Sequence, residues 1–313
     1  MNNARIPVEE LFERALTYPD FEYQERLNRL VGLDEYKERL SKILGVLVNP
    51  TGLESWGKKH HPHAKKLLDV VINRPPLVVL AGDVGSGKTE LAETIGDAVA
   101  RQEGIEINLF PLSLSSRGQG RVGEMTQLLS AAFDHTIAEA KKLRSSGGPA
   151  RGAVILLVDE ADAIAQSREN AQMHHEDRAG VNAFIRGVDR LGKERMPAAV
   201  IMCTNRLGAL DPAIKRRASE ILKFERPNEI QRLAVLGEPL QELGFSKKDI
   251  EAIIAATGQQ KERDYSFTFS DLTQRLLPTI VLDAYPGGAV NPAKALKIIQ
   301  SIIPTPPFKD YET

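Results

Sequence analysis

"PLVVLAGDVGSGKTELAETIGDAVA", residues 76–100, decides the fold: an aliphatic run breaks into a turn with three glycines and a Lys-Thr pair, then resumes with helical spacing. Gly82, Gly87, Lys88 and Thr89 satisfy G-x-x-x-x-G-K-[ST], between a strand and a helix as its chemistry requires. Glycines at 82, 85 and 87 let the backbone fold back with its N–H groups inward, and the following helix N-terminus adds partial positive charge. Gly82, Asp83, Val84, Gly85, Ser86, Gly87, Lys88, Thr89 and Glu90 are therefore the expected polyphosphate cradle. Lys88 is expected to meet the β- and γ-phosphates and Thr89 to place its hydroxyl on Mg²⁺, which makes ATP with Mg²⁺ the expected ligand. Leu91, Ile95 and Val99, four residues apart, would seat the helix on a sheet.

Further runs of the same kind follow at IEINLFPL, GAVILLVDE and AAVIMCTN, separated by longer helical or loop stretches. Near-continuous apolar strands of this type predict a parallel sheet covered by helices on both faces, an α/β nucleotide-binding fold. Beyond about Phe224 no strand is expected. NEIQRLAVLGEPLQEL, SKKDIEAIIAATG, FSDLTQRLLPTIVLDAY and NPAKALKIIQSII instead predict four helices, a small all-helical lid. Upstream, EELFERAL reads as charged helix, and RLVGLDEYKERLSKILGVLV as a helix with Tyr36, Leu40, Ile43, Leu44 and Leu47 on one face. The expected division is an N-terminal helical extension over 1–30, an α/β ATPase domain over 31–225 and a lid over 226–313.

The third strand ends on Asp159 and Glu160, at the sheet edge where the phosphate loop also lies. Asp159 is expected to hold Mg²⁺ through its water shell, and Glu160 to orient and deprotonate the attacking water. Acids are also common in the first turn of a helix, which is the structural alternative for this pair. Asn205, closing AAVIMCTN, can hydrogen-bond both water and γ-phosphate and is the expected nucleotide sensor. In LDPAIKRR, Arg216 and Arg217 lie one turn past a proline-started helix, as arginines that complete a neighbouring subunit's site often do, or as a solvated basic helix end.

The chain has 313 residues with 41 Lys and Arg against 42 Asp and Glu, a formal net charge of -1, so nothing global draws it to nucleic acid or a membrane surface. The single cysteine, Cys203, excludes an internal disulfide and fits a reducing, cytoplasmic setting. Signal peptide and membrane helix are not expected, because the apolar runs are far too short. Adjacent His174 and His175, and His60, His61 and His63, lack metal-site spacing and partners, and Trp56 is read as packing.

In this order the motifs resemble the AAA+ ATPases from RLVGLDEYKERL through the lid. The resemblance implies that Val31 and Gly32 lie near the adenine, that GDVGSGKT is Walker A and VILLVDE Walker B, that Asn205 is sensor 1, and that Arg216 or Arg217 is the arginine finger. Spacing from Asp211 favours Arg216, whereas an R-A-[DS] ending favours Arg217. Lys294, in the first turn of the helix opened by Asn291 and Pro292, occupies the expected sensor 2 place, although a lysine lacks the two-pronged contact of arginine. The compact build and SLSSRGQGRVGEMTQLLSAAF resemble the bacterial relatives of the pachytene-checkpoint remodelers. That branch implies a homo-oligomeric ring, a hexamer, that pulls on a HORMA-domain client beside a nucleotide cyclase of CBASS anti-phage systems. Arg121 and Val122 then stand where the client-contacting pore loop would lie, without the aromatic of eukaryotic members. The alternatives are an AAA+ machine acting on nucleic acid, of clamp-loader or helicase-loader type, and a nucleotide-gated scaffold that rarely hydrolyses.

Overall fold

The computed structural model describes residues 11–12, 14–114, 124–145, 150–165, 175–206, 208, 210–261 and 263–308. They fall into two compact units. The first is built from the residues up to Asn28 with Glu35–Ala81 and Thr89–Lys223, the second from Arg29–Asp34, Gly82–Lys88 and the residues from Phe224 onward. The phosphate loop thus groups with the helical residues, whereas the division drawn from sequence assigns it to the α/β part.

In the first unit, β1 (Leu16–Tyr18) and α1 (Phe21–Arg29) are followed by helices α2 (Asp34–Val48), α3 (Pro50–His60) and α4 (Lys65–Ile72). Strand β2 (Leu77–Gly82) leads into α5 (Lys88–Glu103). Then come β3 (Glu106–Ser113), α6 (Glu124–Leu143), β4 (Gly152–Asp159), α7 (Asp162–Ala165), α8 (His175–Lys193), β5 (Ala198–Thr204), α9 (Pro212–Lys215) and β6 (Glu220–Phe224). One sheet has the order β1-β3-β4-β5-β2-β6, with β3, β4, β5 and β2 parallel to one another. Their residues are buried almost throughout, as strands covered on both faces must be.

Two strands were not anticipated. Leu16, read as a helical position in EELFERAL, opens β1, which pairs antiparallel with β3 through Leu16 opposite Leu109 and Tyr18 opposite Ile107. Leu16 and Tyr18 are buried while Thr17 is exposed, the period-two pattern of an edge strand. The Tyr18 hydroxyl donates to the Glu93 carbonyl of α5, and its ring meets Tyr23 edge-on with centroids 5.2 Å apart. The second unexpected strand is β6, at the opposite margin of the sheet. Trp56, expected to be packing, is half-exposed and leans on His61 instead, ring centroids 4.9 Å apart.

Leu91, Ile95 and Val99 of α5 and Leu40 and Leu44 of α2 are completely buried, as their spacing predicted. A separate apolar layer gathers Val154, Leu156, Val200 and Met202 of the sheet with Phe133 of α6 and Phe184 of α8. The two rings meet edge-on at 5.7 Å, and a Cβ at Gly187 would stand 2.2 Å from Phe133, so the glycine makes room for the aromatic. No helix among the described residues is long and apolar enough to cross a membrane.

The second unit holds α10 (Glu229–Glu242), α11 (Lys247–Thr257), a π-helical turn over Asp271–Leu276 running into α12 (Leu277–Ala284), and α13 (Pro292–Ser301). Asn228 with Gln231 and Ser246 with Asp249 form reciprocal capping boxes on α10 and α11. Buried Asp271 accepts hydrogen bonds from the backbone N–H of Thr268, from the N–H and hydroxyl of Thr305 and from Arg275, tying the segment after α13 to the helices.

Phe133→Ala is expected to destabilise the protein by about 3–5 kcal/mol, because it leaves a cavity between α6 and α8 that packed neighbours cannot close. A shift in the denaturant midpoint at constant m-value checks it.

Candidate functional site

At the C-terminal edge of the parallel strands, the register sets Ser113 opposite Asp159 and Val158 opposite Met202. The Thr89 hydroxyl, one residue into α5, donates to Asp159 Oδ1 at 3.2 Å. The Glu160 N–H donates to the same oxygen at 2.8 Å. Burial pushes the Asp159 carboxyl above its ordinary range, and the charges of Glu160 and Glu93 push further the same way. A hydroxyl and a carboxylate in hydrogen-bond contact, the latter short of positive charge, are the hard oxygen donors that Mg²⁺ takes, so the residues fit that ion.

Glu160 has φ 51°. The left-handed conformation costs a residue with a Cβ roughly 1–2 kcal/mol, and such strain gathers at functional positions. The Ser113 hydroxyl donates to Glu160 Oε2 at 2.9 Å, holding the carboxylate beside that of Asp159.

Asn205 is held by Asp162, the first residue of α7. Asp162 accepts from the Asn205 N–H at 2.7 Å, from its side-chain amide at 3.1 Å and from the Thr204 hydroxyl at 2.8 Å. The two arginines differ sharply. Arg217 makes a two-pronged ion pair with Asp189, at 2.7 and 2.9 Å, and a third bond to the Ala213 carbonyl. Arg216 caps the end of α9 and is exposed.

In the second unit, Gly82 has φ 153° and lies so close to the Phe224 carbonyl that a Cβ would stand 2.0 Å from its oxygen, leaving no room for a side chain. Lys88 is buried, and its ammonium spans the loop from inside, donating to the carbonyls of Gly82 at 2.8 Å and Asp83 at 2.7 Å. Ser86 donates to the Asp83 carbonyl at 2.7 Å. Val31 and Val84 are exposed. The Gly32 carbonyl accepts from the Gln231 amide at 2.8 Å, and a Cβ at Gly32 would stand 3.3 Å from the Phe269 ring. Gln231 and Phe269 thus join Val31 and Gly32 at the expected adenine position.

Two expected ligand residues have other partners. Glu90 receives a two-pronged bond from Arg26 at 2.8 Å on each oxygen, so its carboxylate braces α1. Lys294 is exposed and lies 3.5 Å from Asp283. The lid segment that touches the phosphate loop is instead Thr268–Ser270, where the Ser270 N–H donates to the Gly85 carbonyl at 3.0 Å. Arg121, Val122 and His174 lie outside the described residues.

Residues 78–226 match the ATPase family associated with various cellular activities (AAA). CD-NTase-associated protein 6 of Escherichia coli strain MS 115-1 is 64% identical over 310 residues, which span 99% of this chain and all of that protein. A chain in the structure of the E. coli MS115-1 HORMA:CdnC:Trip13 complex superposes with a TM-score of 0.91 at 63% identity, covering 98% of this chain and 100% of that one. The structure of Rhizobiales Trip13 gives a TM-score of 0.75 at 59% identity over 95% of this chain and 100% of its own.

Because the Asp159 carboxyl is shifted upward in the folded protein, its ionisation opposes folding. The unfolded chain releases that proton first, so the penalty grows as pH rises from the ordinary carboxylate value toward the folded one and is complete above both. Asp159→Asn is therefore expected to raise the melting temperature of nucleotide-free protein at neutral pH and to leave it unchanged in strong acid. Paired thermal scans at the two pH values check the sign.

Proposed function

The chain belongs to the AAA ATPase family, and on that premise we propose that it works as a hexameric ring in the cytoplasm, where ATP hydrolysis drives the remodelling of a HORMA-domain protein in company with a nucleotide cyclase. The observation that carries this reading is Thr89 bonded to Asp159 and Ser113 bonded to Glu160 at the strand ends, in a chain 63% identical, over 98% of its length, to one in the HORMA:CdnC:Trip13 complex.

The division of labour follows from the side chains. Lys88 and the backbone N–H groups of the loop would take the β- and γ-phosphates, with Val31, Gly32, Gln231 and Phe269 around the base. Thr89 and Asp159 would hold Mg²⁺, which when bound supplies charge neutralisation on the phosphates. Glu160 orients and deprotonates the attacking water, and Ser113 sets the position of its carboxylate. Asn205, fixed by Asp162, presents its amide to water and γ-phosphate. Arg217 is committed to Asp189 within its own subunit, so Arg216 is the finger that would reach a neighbour's triphosphate. A ring is then the functional form, since each site lacks its last cation until another copy docks. Arg121 and Val122 keep the client-contacting role that the resemblance assigns them.

Three outcomes are expected. Arg216→Ala lowers steady-state ATP turnover by roughly a thousandfold with ATP affinity nearly unchanged, while Arg217→Ala lowers the melting temperature; turnover surviving in Arg216→Ala refutes the assignment. Mixing inactive Lys88→Ala and Arg216→Ala subunits restores part of the activity, because one donates a finger to the other's intact pocket. Glu160→Gln, charged with ATP, retains the HORMA-domain client in a pull-down; turnover stimulated by single-stranded DNA and by no protein client contradicts the proposal.

A further inference from the structure

Asp83, the second residue of the phosphate loop, places a carboxylate where the backbone is built to gather a triphosphate. Like charges within a few ångströms repel strongly when water is partly excluded. Both carboxylate oxygens are engaged, however. Arg226 Nε donates to Oδ2 at 2.7 Å and the Phe308 N–H to Oδ1 at 3.0 Å. The pair is largely withdrawn from solvent, with Arg226 11% and Asp83 18% exposed. Arg226 also donates from Nη1 to the Ser266 carbonyl at 2.6 Å and lies over the Tyr265 ring at 5.0 Å.

The loop has a second anchor nearby. The Ser270 N–H donates to the Gly85 carbonyl at 3.0 Å, and a Cβ at Gly85 would stand 2.8 Å from the Thr268 hydroxyl. Ser266 and Ser270 bracket a five-residue segment of the lid, so one short piece of chain holds the loop at both Asp83 and Gly85. A cavity of about 660 Å³ runs beside the ion pair, lined by Asp83, Arg226, Arg232, Asp264 and Tyr265 among others. Mobile ions can therefore reach it.

We propose that Arg226 is a positioning residue for nucleotide binding: it cancels the charge of Asp83 and fixes the phosphate loop to the lid segment Ser266–Ser270. The inference rests on the ATPase reading above and adds to it a residue outside every loop motif. Without Arg226, the phosphate loop carries the Asp83 carboxylate with no cation against it to offset its charge. A merely structural ion pair would show the loss and its repair in the melting temperature alone, whereas a charge that acts on nucleotide shows them in affinity and its salt dependence, so the two readouts separate the roles.

The test is a titration of full-length wild type, Arg226→Gln, Asp83→Asn and the double variant Asp83→Asn/Arg226→Gln with the slowly hydrolysed analogue ATPγS, at low and at molar salt, with melting temperatures measured alongside. Arg226→Gln is expected to weaken binding about tenfold at low salt and less at high salt, where counterions screen Asp83. The double variant is expected to bind at least about threefold more tightly than Arg226→Gln. Wild-type affinity in Arg226→Gln overturns the proposal. So does a double variant as weak as Arg226→Gln. Wild type that takes up no ATPγS in the same titration defeats the ATPase reading itself, a result distinct from either.

Discussion

The site depends on one constraint, the parallel register of β3, β4, β5 and β2. Parallel strands bring their C-terminal ends to one edge, and here each ends on a residue with chemistry to offer. Pairing sets Ser113 opposite Asp159 and Ala81 opposite Thr204. A slip of one residue in β4 would turn Asp159 to the opposite face of the sheet and separate it from Thr89. The apolar content of these strands is therefore a specification of position as much as a source of stability. Ile155, Leu157, Val200 and Met202 have no part in the chemistry, yet their burial fixes where the carboxylates emerge.

The same edge stores cost. The Asp159 carboxyl is pushed upward by partial burial and by neighbouring carboxylates, while Glu160 occupies a left-handed conformation that its Cβ disfavours. Both features oppose folding, and such costs gather at functional positions. Elsewhere charge is settled locally. Arg26 with Glu90, Arg217 with Asp189 and Arg226 with Asp83 each place a guanidinium on a carboxylate with hydrogen-bond geometry. The contrast between these ion pairs and an edge that carries a raised carboxyl and a strained backbone marks the candidate site without reference to any motif.

The four central strands and the phosphate loop were legible because their signals are local: an aliphatic run, a glycine spacing, a carboxylate pair at a strand end. Strands β1 and β6 were not. The first is three residues long, and the second, Glu220–Phe224, mixes charged and apolar residues as a strand at the sheet margin can. Ser113 and Asp162 were missed for a different reason: each acts through a partner, Glu160 and Asn205, that only tertiary register brings within reach. Arg226 meets Asp83 across 143 residues, and nothing in FERPN announces it. Nor did the place of Glu90 in the loop motif hint that Arg26 would take both of its oxygens. With Arg216 and Arg217 the motif left two candidates, of which Arg217 is ion-paired to Asp189, a contact no local signal gives.

The central claim is that one chain carries a triphosphate site short of a cation that only a second copy supplies. The most direct measurement is ATPase activity per chain as a function of protein concentration, with molecular mass followed in parallel by sedimentation. The account predicts near-silence at concentrations where single chains prevail and a steep rise that coincides with assembly. Activity per chain that stays constant down to the lone subunit would contradict it.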